Sequence, residues 1–381
     1  MPKILLLTAE PLTFKTLLSG FPKYLKEQAW DVLLVSGDGR EVYSMCRAEG
    51  VSHESIPFSK GDNFFDDVST YWQLFQLIKR EKPDLIHSFG AKAGFLGMLA
   101  AKQAGIRNRI HSITEMPVKK SSSSAMLTRK EKWTISNATA LWVNSSGMYS
   151  FFSTLPDIDF SKFRIIGNGS TLGVDFDKFN RESLKENHLV AATMRMLPSE
   201  NDFIILAVGK LSTKKGMEEL IHAFLNFKFL SSSKLVLIGE PDLQENRLAQ
   251  ETLTTIREHP RVVQIDWTDH VAHHLALADV LVHASHTEGF SNVLLEAAAM
   301  QVPIICSNCV GNSSFIQQQK TGLIFPVGEN AILREALEFS YVKRDVMASF
   351  ADALFKEVKD KFDRKWLSQL YLKSYEEVVT N

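Results

Sequence analysis

The sequence predicts an α/β protein built as two doubly wound halves, each a parallel sheet covered by helices on both faces. Three observations carry that expectation. Short apolar runs alternate with helix-length amphipathic stretches, and the alternation restarts at Phe203 after a polar interval that runs to about residue 200. At roughly 150 residues per domain, 381 residues make two domains, each able to bury its own core. Within residues 279–300, apolar Val280 to Val282, a polar turn from Ser285 to Gly289 and helix-forming Val293 to Met300 spell a strand, a loop and a helix.

Taken in order, Lys3 to Thr8 reads as a buried first strand, and residues 14–30 as one helix with Phe14, Leu17, Leu18, Phe21, Leu25 and Trp30 among its apolar positions. Strands follow at Asp31 to Ser36, Asp84 to His87, Arg109 to Ile113 and Ala140 to Val143, with helices at 92–104 and around 128–138 between them. Residues 164–179 combine a strand with several glycines and a turn. The polar stretch to about residue 200, which includes Pro198, reads as the interdomain linker, which puts a cleft between the halves. The second half runs through strands at Phe203 to Val208, Lys234 to Gly239 and Val262 to Asp266, with a helix from Met217. Residues 331–381 are helical, with little Gly or Pro to interrupt them.

Composition narrows the function. Lys and Arg number 43 against 44 Asp and Glu, so no global field argues for nucleic acid as a partner. Three cysteines and the lack of an apolar run after Met1 argue against secretion and a disulfide framework, giving an expected cytoplasmic location. No stretch approaches the roughly 20 apolar residues of a membrane span, so membrane contact would be peripheral. Cys306 and Cys309 have C-x-x-C spacing, but with only Cys46 besides they cannot build a four-cysteine zinc site. His270, His273 and His274 near Asp269 lack a recognised ligand spacing, and no metal is expected.

Two loops have the chemistry of a phosphorylated polyol site. In the 279–300 unit, Ser291 or Asn292 can cap the helix, Gly289 allows close backbone approach, and the first-turn amides are donors for an anion or sugar hydroxyls. Glu288 lies just before that helix and Glu296 about one turn inside it; a bare pair of solvated surface glutamates is the competing reading. Between the strand ending at Val208 and the helix from Met217, the loop Gly209-Lys210-Leu-Ser-Thr-Lys-Lys215-Gly216 offers amides, a helix dipole and ammonium groups to a diphosphate. Gly90, Gly94 and Gly97 open another helix, either to approach a ligand or for close helix packing. Lys119, Lys120, Arg129, Lys130 and Lys132, with four serines and Trp133, suit either an anionic membrane surface or an ordinary solvated loop.

The string from Glu288 to Ala297, a Glu, seven residues and a second Glu, closely resembles the nucleotide-sugar motif of the retaining family-4 glycosyltransferases, the "group 1" enzymes of GT-B fold. Residues 168–179 match that family's run of Gly-Ser, two residues, Gly-Val-Asp, three residues and Phe. Asp84 to Gly94 is similar to the same region of capsule and lipopolysaccharide glycosyltransferases, and Gly311-Asn312 and Gly322 to Pro326 resemble the pattern after the donor helix. The phosphate loop resembles the family's Gly-Arg-Leu and Lys-Gly, with Lys210 where Arg is usual. Lysine lacks the bidentate fork of Arg.

The resemblance implies two Rossmann-like domains facing a cleft, with the last helix crossing back to the N-terminal one. Residues 1–180 with about 360–381 would bind acceptor, and 200–355 the nucleotide sugar. It places Glu288 at the donor sugar, the amides of Gly289, Phe290, Ser291 and Asn292 on its hydroxyls, Glu296 on the ribose diol, and Gly209, Lys210 and Lys215 on the phosphates. On the acceptor side it points to His87, Lys92 and Gly94. Relatives carry a His-Gly pair where Thr114 and Glu115 stand here, which makes His111 a candidate replacement. The implied reaction is retaining transfer of a sugar, from a UDP-linked donor, to a glycan or lipid-linked acceptor in bacterial surface polysaccharide synthesis, by front-face attack and without a metal. A GT-B protein that binds nucleotide sugar without turnover and a 2-epimerase on the same fold are the alternatives. A retaining glycosidase fits less well, since its carboxylates stand about 5–5.5 Å apart and eight helical residues advance about 12 Å.

Overall fold

Neither sheet alternates apolar and polar residues along its strands, because both faces of each are covered. β1 (Lys3–Thr8) shows the consequence: Leu5 and Leu7 enter one core while Ile4 and Leu6 enter the core on the opposite face. The computed structural model describes residues 1–59, 61, 63–116, 127–184, 202–243 and 246–380. It divides into one unit of Met1–Leu172 with Lys365–Asn381 and a second of Gly173–Arg364. The linker expected from about 180 to 200 falls largely outside the described residues.

In the first unit β1 is followed by α1 (Pro11–Leu17), α2 (Phe21–Glu27), β2 (Asp31–Ser36), α3 (Arg40–Glu49), β3 (Ser52–Ser55), α4 (Phe64–Glu81) and β4 (Leu85–Phe89). Then come α5 (Ala91–Gln103), β5 (Asn108–Ile113), α6 (Arg129–Asn137), β6 (Ala140–Val143), α7 (Ser146–Ser153) and β7 (Phe163–Arg164). The strands form one parallel sheet in the order β3-β2-β1-β4-β5-β6-β7, so the winding reverses between β1 and β4.

The single helix expected at 14–30 is two. Gly20 adopts φ 84°, and Pro22 sits in the first turn of α2, where its missing N–H costs no helical bond. α3, β3, α4 and α7 are not among the expected elements; β3 is the polar edge strand Ser-His-Glu-Ser and carries no apolar run.

The second unit contains α8 (Arg181–Leu184), β8 (Phe203–Val208), α9 (Met217–Leu225), β9 (Ser233–Ile238), α10 (Gln250–Glu258), β10 (Val262–Ile265), α11 (Val271–Leu277) and β11 (Val280–His283). It continues with α12 (Asn292–Ala299), β12 (Ile304–Ser307), α13 (Val310–Ser313), β13 (Leu323–Phe325), α14 (Asn330–Val342) and α15 (Arg344–Lys361). Its parallel sheet runs β10-β9-β8-β11-β12-β13, reversing between β8 and β11. Open α/β sheets bind ligands beyond the carboxyl ends of the strands at such a reversal. Two loops therefore matter most here, the one leaving β8 and the one leaving β11.

The helical stretch expected over 331–381 is interrupted at Lys343 and again at Phe362 and Asp363. Val174 donates to the Phe362 carbonyl at 2.9 Å and accepts from the Arg364 amide at 3.0 Å, so backbone groups that would continue α15 are engaged elsewhere. The ring of Phe362 packs against Phe290 and Phe315. Beyond the break, α16 (Arg364–Thr380) delivers Tyr371 and Tyr375 to the first unit's core, beside Phe21, Trp30 and Trp142. No described helix is long and apolar enough to cross a membrane.

Candidate functional site

After β8 the chain turns at Gly209, φ 140°, and Ser212 caps a short 3-10 turn at Thr213–Lys215 by accepting from the Lys215 amide at 3.3 Å. Gly216 ends that turn at φ 67°, where a Cβ would stand 2.1 Å from the carbonyl oxygen of Ala284. Only glycine allows the β8 loop to lie this close to the end of β11.

The contact is reinforced along its length. The amide of His286 donates to Lys214 O at 2.9 Å, and His286 Nε2 meets Glu219 Oε1 at 2.6 Å. A third loop, after β12, closes on the same place. Gly311 donates to the Glu288 carbonyl at 3.1 Å, Ser307 donates to the Ser285 carbonyl, and Asn312 Nδ2 bonds Ser307 Oγ at 3.1 Å. Three loops from adjacent strands are thus stitched into one support.

This support brings Lys215 Nζ onto the Glu288 carboxylate as a partly buried ion pair. Burial pushes the Glu288 carboxyl up, but the charge of Lys215 and the groups of His283 and Ser285 outweigh it and hold it below its ordinary value. His283 stands at the end of β11, 7% exposed, with Nε2 3.1 Å from Ser291 Oγ and 3.5 Å from Glu288 Oε1. Burial takes its pKa down to about 4, so at neutral pH it is an uncharged hydrogen-bonding ring. The arrangement offers an ionised carboxylate, an ammonium group and a helix start within a few ångströms, a combination able to hold sugar hydroxyls and a phosphate.

Glu296 lies in the second turn of α12 and is the electrostatic opposite of Glu288. Burial lifts its carboxyl to about 7, against the pull of Lys178 and Arg364. Lys210 reaches Asp242 at 3.6 Å with its side chain largely in solvent, and is not part of the Lys215 and Glu288 pair.

The packing corrects one expected role, the Ser291 side-chain cap, and shows what surrounds the other loop residues. Ser291 occupies the N-cap position of α12, but its side chain makes no capping bond, because the hydroxyl is directed to His283. Phe290 is a core residue whose ring packs at a tilt against Phe315 and Phe362, which leaves only its backbone for a ligand. Gly289 packs its backbone where a Cβ on Gly311 would fall within 2.8 Å. Asn292 is the first residue of α12 and is half-buried.

In the first unit the acceptor-side histidines are interior. His87 is fully buried, with Nδ1 2.6 Å from Tyr375 Oη and Nε2 2.8 Å from Ser112 Oγ, and burial holds it neutral. His111 bonds Ser88 at 2.9 Å, is 5% exposed, and is lowered by burial to about 4. A Cβ on Gly94 would stand 2.4 Å from the His111 ring, so Gly94 is a packing glycine and His111 the side chain beneath it. Lys92 is bound to Asp67 at 2.9 Å and donates to the Ser59 and Gly61 carbonyls. Thr114 and Glu115, just past β5, are half-buried and exposed. Lys119 and Lys120 lie outside the described residues.

Cys306 and Cys309 are buried free thiols, and among the described residues no cluster of three or more His, Cys, Asp or Glu is placed to hold a metal. His283, Ser307 and the pair of Glu219 and His286 are not among the expected site residues, and Asn312 is expected only as part of the pattern after the donor helix. Of these, His283 carries a signal in its place at the mouth of the strand before Glu288, and Asn312 in its pairing with Gly311.

Two protein-family descriptions match the chain. "Glycosyl transferase 4-like domain" matches residues 22–169, and "Glycosyl transferases group 1" matches 194–345. The capsular polysaccharide biosynthesis glycosyltransferase CapM of Staphylococcus aureus is 27% identical over 352 residues, covering 91% of this chain and 90% of the relative. An Escherichia coli UDP-Gal:alpha-D-GlcNAc-diphosphoundecaprenol alpha-1,3-galactosyltransferase is 25% identical over 283 residues, 70% of each chain. Among solved structures, Anabaena HepE in complex with UDP and glucose has a TM-score of 0.81 at 16% identity, covering 99% of this chain and 100% of that one. Sucrose-phosphate synthase from Thermosynechococcus elongatus has a TM-score of 0.80 at 17% identity, covering 100% of both. These structural likenesses bear on the fold.

Proposed function

We propose, since this chain belongs to the group 1 glycosyltransferases, that it moves a hexosyl or N-acetylhexosaminyl group from a UDP-linked donor to a hydroxyl of a glycan or lipid-linked acceptor, with retention, in bacterial surface polysaccharide synthesis. One observation carries the reading most: Lys215 and Glu288 meet in the second unit at the reversal of its sheet, where an α/β fold takes a ligand. The capsule relative and the diphosphoundecaprenol-using relative support the pathway and the class of acceptor.

In this reading the donor diphosphate draws Lys215 from Glu288 and is held by its ammonium and by loop amides. The leaving charge that develops in the transition state is stabilised there. Glu288, freed and ionised, accepts from hydroxyls of the donor sugar, with His283 and Ser291 fixing its orientation. Glu296 accepts from the ribose diol. The leaving phosphate assists deprotonation of the acceptor on the same face, so neither a nucleophilic carboxylate nor a metal is required.

The test is a thermal-shift screen against nucleotide sugars, followed by assay of nucleotide release with candidate acceptors. A ligand at 100 times its Kd stabilises by about 2.7 kcal/mol. A UDP-sugar should give the largest shift, and a flat response to every nucleotide sugar would overturn the reading.

A further inference from the structure

The first unit concentrates large exposed aromatic side chains in one place. On α4, Phe64 is 74% exposed, Phe65 82%, Val68 38% and Trp72 54%. Positions 64, 68 and 72 form a single stripe along a helix, the stripe that a water-facing surface would fill with polar residues. The rings support one another: Phe64 meets Phe65 edge-on at 5.9 Å, and Trp72 meets Tyr71 and Phe75 at 5.7 Å. On α6, Trp133 is 55% exposed and lies 6.0 Å from Phe95 of α5.

Asp67 binds both Lys92 of α5, at 2.9 Å, and Lys130 of α6, at 3.5 Å, so the first turns of the three helices are tied together. The basic first turn of α6, with exposed Arg129, Lys130 and Lys132, therefore stands beside the aromatic stripe. Among the described residues, acid nearby is sparse. Asp67 is neutralised by these lysines and Glu131 is engaged in the capping box of α6, which leaves Asp66 as the exposed acid of the first turn of α4. Each of the three helices follows a strand of the parallel sheet, so the start of the patch, Phe64, Phe65 and the basic first turn of α6, lies at the carboxyl edge, where such sheets take ligands.

Aromatics flanked by Lys and Arg suit the interface of an anionic bilayer, where rings sit at headgroup depth and cations meet lipid phosphates. A second copy of the chain is a poorer occupant, because it would bring the same basic residues against themselves. We propose that Phe64, Phe65, Val68 and Trp72, with Trp133 and the basic turn of α6, insert at the surface of an anionic phospholipid membrane and turn the carboxyl edge of this sheet toward it. The proposal deepens the lipid-linked acceptor reading and rests on it for the purpose of docking, while the patch stands independently of the donor site.

The experiment is co-sedimentation of the full chain with vesicles of phosphatidylcholine alone or mixed with phosphatidylglycerol, at low and high salt. Wild type is compared with the triple variant Phe64→Ser, Phe65→Ser, Trp72→Ser and with the double variant Arg129→Gln, Lys132→Gln. These side chains are at the surface, so melting temperature and nucleotide-sugar response should match wild type, which separates failure of docking from failure of the donor reading. Wild type should bind the mixed vesicles. The aromatic variant should lose about tenfold or more in partitioning, and the basic variant a few-fold, with its salt dependence reduced. Equal binding by wild type and the aromatic variant, or no binding by wild type, overturns the proposal. So does self-association that the aromatic variant abolishes without any vesicle binding, which would give the patch to a second copy.

Discussion

Glu296→Gln should make the ligand-free protein more stable while making it a poorer binder of its donor. The carboxyl of Glu296 is lifted from 4.5 to about 7 by burial that Lys178 and Arg364 do not offset. In the unfolded chain it ionises near 4.5, so between these two values the folded state holds a proton that the unfolded state has lost. Stability attached to this group is therefore present at low pH and lost as pH rises from about 4.5 to 7. At about 1.4 kcal/mol per tenfold change in proton affinity, the loss reaches about 3 kcal/mol above pH 7. Glutamine has nearly the same shape and no charge, so it removes the loss. Urea unfolding of both proteins from pH 4.5 to 8 should show a stability gap near zero at the acid end that widens to about 3 kcal/mol. Donor affinity of the variant, measured by titration calorimetry at pH 8, should fall, since the amide presents one acceptor to a diol that asks for two. A stability gap that does not change with pH would refute the account of Glu296.

Glu288→Ala should remove most turnover with the fold intact, as read by nucleotide release and circular dichroism, and wild-type rates would exclude its proposed role. Lys215→Ala should damage donor binding more than Lys210→Ala, because Lys215 reaches Glu288 whereas Lys210 reaches Asp242; equal losses in a thermal-shift titration would contradict the separation. Gly216→Ala places a Cβ 2.1 Å from Ala284 O at φ 67°, and should cost about 2 kcal/mol or more in urea unfolding; a cost near zero would mean that the two loops can part freely. In the Glu296→Gln background, His111 and His283, both lowered to about 4, should each withdraw about 1 kcal/mol as pH falls from 7 to 5.5, since the unfolded chain takes up protons that the folded chain refuses. A melting temperature flat across that interval would count against their burial as neutral rings.

The fold was legible wherever burial leaves a one-dimensional trace. The apolar runs at β1, β2, β8 and β11 read directly, because a strand covered on both faces has no polar partner position to confuse it. β3 was not legible, since an edge strand of Ser, His, Glu and Ser is held by its backbone bonds to β2 and by polar contacts such as His53 with Ser36 and Glu54 with Arg80, not by an apolar run. The breaks at Gly20 and at Phe362 were lost for another reason. The apolar period continues across both, and the backbone contact that ends α15 comes from Val174, far away in sequence.

The site residues divide by position along a strand rather than by chemistry. Histidine is a functional candidate by its chemistry, and three histidines invite the same reading, but His87 is third of five residues in β4 and His111 fourth of six in β5. Mid-strand positions in a doubly covered sheet face helices, so a polar ring there must find hydrogen-bond partners inside, as these do in Ser112, Tyr375 and Ser88. His283 is the last residue of β11, where the covering ends, and it is the one that reaches Glu288 and Ser291. Glu288 and Lys215 lie beyond their strands altogether. Their meeting depends on Gly216 against Ala284 and on Gly311 against Glu288 and Gly289, contacts between loops brought together by strand order. Strand order is the quantity that local sequence periodicity does not contain. A motif can mark which residues belong to the site, while the reversal between β8 and β11 determines that a carboxylate and an ammonium from chain positions 73 apart share one place.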